Sequence, residues 1–211
     1  YMAVEFYLGA TDWPQNNVKG FKPHFDGGKY RFVLFDLDGT FGTSDPFNVF
    51  ANKQNYRFDY NYTINGHITE EIEFVTIFLN MLSNKEFVKK FVDTYCLVAG
   101  SVFTPKRCNE IINSMAEVTY NTLRQEGQNP YNTANSLINS LQNRQTTMIN
   151  ALRNYEAFNL WYTEEQKVDL SANISEARIS VNDINVPTNK FSGSLFGPIM
   201  LKASAPANYK F

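Results

Sequence analysis

The stretch "RFVLFDLDGTFG", residues 31–42, decides how this chain is read. An apolar and aromatic run leads into Asp36-Leu37-Asp38-Gly39-Thr40, the signature of a strand that carries two carboxylates to its end. Side chains two residues apart on a strand share one face. Two like charges held together in that way are costly unless a cation or a basic side chain answers them. The pair can work as a nucleophile with a neighbouring general acid, or as the seat of a divalent ion. A salt-bridge network to Arg31, Lys19 or Lys22 is the purely structural alternative.

Upstream, residues 1–9 are apolar and predict a helix ending at Gly9, followed by the polar loop "TDWPQNN" in which Pro14 stops regular structure. "VKGFKPHFDGGKYRFVLFD" predicts two short strands around the turn Asp26-Gly27-Gly28. Residues 43–67 read as loop, with a further turn at Asn65-Gly66. From Thr69 the spacing of Phe74, Ile77, Phe78 and Met81 is helical. Ser83 and Glu86 form a capping-box pattern before the stripe Phe87, Val88, Phe91, Val92, Tyr95. Thr104, Pro105 and, beyond the far end, Gly127 bracket a long helix. Leu137, Leu141, Met148 and Leu152 predict one more, running to about Tyr155. After residue 163 short β-rich runs separated by Asn, Asp, Pro and Gly take over. The expected fold class is therefore α+β, with a helical part over 1–163 that contains the acidic hairpin and a small β-sheet module over 164–211.

With 211 residues, 18 Phe and 12 Tyr, the chain can bury one sizeable aromatic core. Its 19 Lys and Arg against 21 Asp and Glu leave no basic excess to meet a phosphate backbone, so nucleic acid is not an expected partner. No apolar run is long enough to span a bilayer. Cys96 and Cys108 are twelve residues apart, without His or further Cys at ligand spacing; buried free thiols are expected, with a disulfide as the alternative.

The two chemistries proposed for Asp36 and Asp38 need different companions. A haloacid-dehalogenase-type phosphatase, which the Asp-Leu-Asp-Gly-Thr motif resembles, needs a doubly wound parallel sheet and a late acidic pair for Mg²⁺. The chain offers successive helices instead, and Asp93, Asp169 and Asp183 never pair in sequence. A phosphoryl-transfer lobe needs a loop Asp facing the attacking hydroxyl, an Asn five positions on, and a strand-end Asp holding Mg²⁺. Asp12 and Asn17 have that spacing, ahead of Asp36 and Asp38.

"TDWPQNNVK" (11–19), "KYRFVLFDLDGTFG" (29–42) and the helical stretches "FLNMLSNKEFVKKFVDTY" and "FTPKRCNEIINSMAE" together resemble the spore-coat CotH family of atypical protein kinases, over roughly residues 1–156. The resemblance implies a carboxy-terminal kinase-like lobe that uses ATP and Mg²⁺ or Mn²⁺ to phosphorylate Ser or Thr of a protein substrate. By matching position it makes Asp12 the catalytic Asp and Asn17, Asp36 and Asp38 metal ligands. Lys19 ranks second as a nucleotide contact, and Asn16 as a ligand. It also implies a nucleotide-gripping half ahead of Tyr1, so the 211-residue chain by itself is expected to bind ATP poorly and to be inactive. The tail "SVNDINVPTNKFSGSLFGPIMLKASAPANYKF" is similar to small β repeats of bacterial surface proteins. Export to the cell surface or beyond is expected on that basis. The same tail supports an alternative of another class, a surface structural or binding protein whose kinase-like lobe no longer catalyses. His24 and His67 read as solvated, Trp13 as a packing anchor, and Trp161 as part of the join to the β module.

Overall fold

Helix α1 (Met2–Leu8) opens a computed structural model that describes residues 1–55, 73–207 and 209. The turn expected at Asn65-Gly66, His67 and the onset at Thr69 lie outside those residues. Helix α1 stops where expected, because Gly9 takes the left-handed conformation (φ 64°) that closes a helix at little cost in Gly. It is the hub of the core. The Phe6 ring lies 4.7–5.7 Å, centroid to centroid, from Trp13, Phe47, Phe50, Phe78 and Phe91, so four separate segments converge on one aromatic side chain.

The predicted hairpin forms as β1 (Lys19–Phe21) and β2 (Arg31–Val33), antiparallel, with Phe21 opposite Arg31. Residues 43–67 are not loop throughout. Helix α2 (Pro46–Asn52) begins there, with Asp45 as its cap accepting from the Asn48 amide and Pro46 at the first helical position. Helix α3 (Glu73–Met81) follows the expected periodicity. Helix α4 (Lys85–Leu97) is capped by Asn84 rather than Ser83: the Asn84 side chain accepts from the Glu86 and Phe87 amides, while the Ser83 hydroxyl turns back to the Asn80 carbonyl. Helix α5 (Pro105–Gln125) has the predicted Thr104 cap, with Gly127 at φ 74° past its end. The single helix expected to reach Tyr155 is two, α6 (Pro130–Leu141) and α7 (Arg144–Asn154). Neither Gly nor Pro breaks them.

The tail supplies β3 (Glu165–Ser171), β4 (Arg178–Val181), β5 (Ile184–Asn185), β6 (Lys190–Phe196) and β7 (Leu201–Ser204). β3 pairs with β6, and β4 lies between β5 and β7, all antiparallel. Among the described residues no strands pair in parallel, which removes the sheet a haloacid-dehalogenase-type phosphatase needs. Asp93 and Asp183 are spent on Lys89 and Lys202.

Phe191, Leu195 and Phe196 of β6 are buried in the same hydrophobic cluster as α1 and α4. Leu160 and Phe158 are buried at the junction before β3, whereas Trp161 is 56% exposed, so it does not close that join. Where α4 ends, Val98–Val102 widens into a π-turn. A Cβ at Gly100 would lie 2.5 Å from the Phe191 ring and 2.8 Å from the Ser192 carbonyl oxygen. Gly100→Ala is therefore expected to destabilise by about 1–3 kcal/mol through overpacking, read as a lower denaturant midpoint at constant slope. An unchanged midpoint would show that β6 is not seated on this turn.

Both cysteines are free and buried, as expected, and burial pushes the Cys96 thiol far up. Among the described residues no helix is long and apolar enough to cross a membrane.

Candidate active site

Two loops build the site. In the first, the Asn17 amide donates to one Asp12 carboxylate oxygen at 2.6 Å, and the Asn16 backbone amide donates to the Asp12 carbonyl at 3.2 Å. Asn17 sits at φ 57°, a left-handed position that Asn tolerates better than most residues. The five-residue offset read in the sequence thus becomes direct contact. In the second loop, β2 ends at Val33, so Asp36 and Asp38 stand beyond the strand and not on it. Asp36 adopts φ 55°. That turn, and not strand alternation, puts the two carboxyls together.

The loops are sewn to each other at Gly39. The Thr11 amide and hydroxyl both donate to the Gly39 carbonyl, at 3.0 and 3.1 Å. A Cβ on Gly39 would lie 3.2 Å from an Asp12 carboxylate oxygen, so the Gly of Asp-x-Asp-Gly is the residue that lets Asp12 come this close. Sequence positions 12, 17, 36 and 38 therefore meet.

Their electrostatics are those of a crowded acid group. The Asp36 carboxyl is raised above the usual Asp range, first by its hydrogen bond to Asp38 and by the charge of Asp38, then by burial and Asp12; a hydrogen bond from Asn17 opposes this. Among the described residues no Lys or Arg forms an ion pair with Asp36 or Asp38. The structural alternative, a network to Arg31, Lys19 or Lys22, is not made: the Lys19 amine lies 4.3 Å over the Phe35 ring, and Lys22 reaches over Tyr30. Lys19 thus faces the ring of the residue before Asp36 without pairing with the acids, and His24 is exposed.

The donor set fits a hard divalent ion. Two abutting carboxylates and the Asn17 amide oxygen, which its hydrogen bond to Asp12 leaves free, are oxygen ligands of the kind Mg²⁺ accepts. No three His, Cys, Asp or Glu among the described residues close into a ligand cluster by themselves. An ion held by Asn17, Asp36 and Asp38 would complete its shell with water and phosphate oxygens, which is the habit of Mg²⁺ rather than of Ca²⁺. Grooves of about 590 and 330 Å³ run along β3 and β6, away from these residues, and none of the four acid-site residues lines them.

Two residues that sequence reasoning passed over support the loops from behind. Lys53, after α2, donates to the carbonyls of Thr11 and Trp13, both at 2.6 Å. Arg144, at the start of α7, donates to the carbonyls of Tyr7, Phe41 and Thr43 and lies 5.3 Å from the Phe41 ring centroid. Phe41 needs the help, since it sits at φ 62°, where a bulky residue is strained. Its own amide donates to the Leu8 carbonyl at 2.6 Å. Trp13 is the packing anchor expected: its indole N–H donates to the Tyr1 hydroxyl at 2.9 Å, and its ring stacks on Phe50. Glu5, only 2% exposed below this loop, is pushed up to about 7, chiefly by burial, while the Tyr1 hydroxyl pulls it down and Asp12 adds to the rise.

The family model described as CotH kinase protein matches residues 1–163. The chain belongs to the CotH kinase family. The match covers both loops of the acid site, Lys53, Arg144 and every helix among the described residues, and it stops just before β3. No curated protein and no solved structure matches the chain.

Proposed function

We propose that this CotH-family chain carries the acceptor-facing and metal-facing residues of an exported protein kinase, one that transfers the γ-phosphoryl group of ATP to Ser or Thr of a protein. The observation that supports the reading is the convergence of the Asp12–Asn17 turn with the Asp36–Asp38 loop at Gly39. Asp12 is half-buried and held by Asn17, so one carboxylate oxygen stays available to orient the acceptor hydroxyl and take its proton. As the acceptor oxygen bonds to the γ-phosphorus, the bond to the bridging oxygen breaks and ADP leaves. Bound Mg²⁺ or Mn²⁺ would neutralise phosphate charge there. Asn17, Asp36 and Asp38 would hold it. Export rests on the β-rich tail and its likeness to surface repeats.

A second reading, a surface protein whose lobe binds without catalysing, draws on one observation: the acids do not by themselves close a ligand cluster. Mn²⁺ titration separates the two. In the intact protein, with the half ahead of Tyr1, the kinase reading expects saturable Mn²⁺ binding and a metal- and ATP-dependent rise in Tm, both lost in Asp38→Asn. Absence of any metal-dependent stabilisation would leave the binding protein as the better account.

The raised Asp36 carboxyl adds a pH signature. Its proton competes with the ion, so Mn²⁺ affinity should climb as pH rises above the usual Asp value, and Asp36→Asn should flatten that climb. Without metal the sign reverses for folding. A carboxyl raised in the folded state binds more protons there than when unfolded, so metal-free stability should fall across the same window as pH increases. Calorimetric titrations at several pH values check both, and an affinity that is flat with pH would remove Asp36 from the ligand set.

A further inference from the structure

We propose that Lys53 is the positioning residue of the acid site, a buried cation whose task is to hold the Asp12 turn against the Asp36–Asp38 loop. The inference rests on the kinase reading of Asp12 and goes beyond it. Lys53 is 7% exposed. Its amine donates to the carbonyls immediately before and after Asp12, Thr11 and Trp13, each at 2.6 Å. Among the described residues no carboxylate lies within ion-pair distance of it. Burial pushes this ammonium down to about 8, with Asp12 opposing the fall. An apolar side chain would fill the same space but leave the Thr11 and Trp13 carbonyls without this donor, so packing alone does not account for a lysine here.

What the lysine provides is a fixed node. Thr11, bonded to Lys53 through its carbonyl, donates its amide and hydroxyl to Gly39, the residue next to Asp38. Asp12, bracketed by the two bonded carbonyls, accepts from Asn17. A single amine thereby sets the spacing between the acceptor-facing acid and the candidate ligands Asn17 and Asp38. Backbone held in this way keeps reacting groups within the fraction of an ångström that phosphoryl transfer requires.

Charge and geometry predict opposite signs for cation binding, which makes the proposal testable. If Lys53 acted only as a nearby positive charge, removing it would tighten Mn²⁺ binding by relieving repulsion. If it positions ligands, removing it weakens binding. The experiment measures Mn²⁺ dissociation constants at pH 7, by calorimetry and water-proton relaxation, for the full 211-residue chain and for Lys53→Met, Lys53→Arg, Lys53→Gln and Asp38→Asn, with near-UV circular dichroism as the control for folding.

The expected result is binding weakened about tenfold or more in Lys53→Met, as for other outer-shell supports of metal ligands, and restored to within about threefold in Lys53→Arg. Rescue by arginine distinguishes positioning from a loss of stability. Where Lys53→Met does not fold, Lys53→Gln serves, with weaker binding supporting the proposal and equal or tighter binding overturning it. A folded Lys53→Met that binds Mn²⁺ as tightly as the parent overturns it, as does an arginine variant no better than the methionine one. Failure of the parent chain to bind Mn²⁺, or binding that survives Asp38→Asn, overturns the reading of the site itself and the role of Lys53 with it. Binding that is sensitive to Asp38 and insensitive to Lys53 removes the Lys53 role alone.

Discussion

On the proposed kinase reading, Asp12→Asn is expected to lower the rate of phosphoryl transfer on the order of a thousandfold while leaving the fold and the binding of Mn²⁺ nearly intact. The substitution keeps size and shape but replaces a proton-accepting carboxylate with an amide. It is mild for the structure, because Asp12 is half-buried and its tie to Asn17 is one hydrogen bond of 2.6 Å among several that hold the turn. The lysine bonds to the flanking carbonyls and the Thr11 bonds to Gly39 involve the main chain and survive the change. Asn17, Asp36 and Asp38 remain, so ion binding should change by no more than a few-fold. Steady-state kinetics of the natural protein with a Ser- or Thr-bearing protein acceptor read the effect as a fall in kcat with KM for ATP little altered. Activity within tenfold of the parent would mean that another group takes the hydroxyl proton.

The largest loss of stability is expected from Arg144→Met. Arg144 is 7% exposed and donates to three main-chain carbonyls: twice to Tyr7 (2.8 and 3.2 Å), once to Thr43 (3.0 Å) and once to Phe41 (3.5 Å). No carboxylate forms an ion pair with it among the described residues. Methionine keeps much of the volume and removes every donor, leaving carbonyls at the end of α1 and in the Phe41–Thr43 loop without partners. Each such orphan costs about 1–3 kcal/mol, and relaxation recovers part of the sum, so a loss of about 3–5 kcal/mol is expected. For a domain whose total stability is typically about 5–15 kcal/mol, that is a large share. Lysine should rescue poorly, because one ammonium cannot span three carbonyls as a planar guanidinium does. Urea unfolding measures it; a loss below about 1 kcal/mol would show that the three carbonyls find other partners.

Arg144 also shows where sequence reading reached its limit. In the sequence it follows Asn143 within a polar stretch and looks like any surface arginine. Its burial, and that of Lys53, depends on which distant carbonyls the fold brings beneath them, and carbonyl positions leave no trace in residue identity. The break between α6 and α7 was hidden for a related reason: Gln142 and Asn143 carry no breaker, and α7 starts where its first residue, Arg144, turns onto Tyr7. Helix α2 is a different case, since Asp45-Pro46 is the same cap-then-proline signal as Thr104-Pro105 but falls in the Asn- and Tyr-rich stretch 43–67 that reads as loop. At α4, Ser83 and Asn84 are both capable caps. The backbone at Asn84, extended at φ −93° and ψ 110°, decides between them.

Local chemistry was enough to assign the helix ends at Gly9, Thr104 and Gly127, the β1–β2 hairpin and the β-rich tail, and to single out Asp12, Asn17, Asp36 and Asp38 as candidates for one site, because caps, turns and acid spacing act over a few neighbours along the chain. Only the folded chain decided that the acids meet across Gly39, that left-handed backbone at Asp36 and not a strand pairs them, and that two buried cations brace the loops. Those outcomes depend on contacts between residues tens of positions apart, and such contacts are set by packing around Phe6.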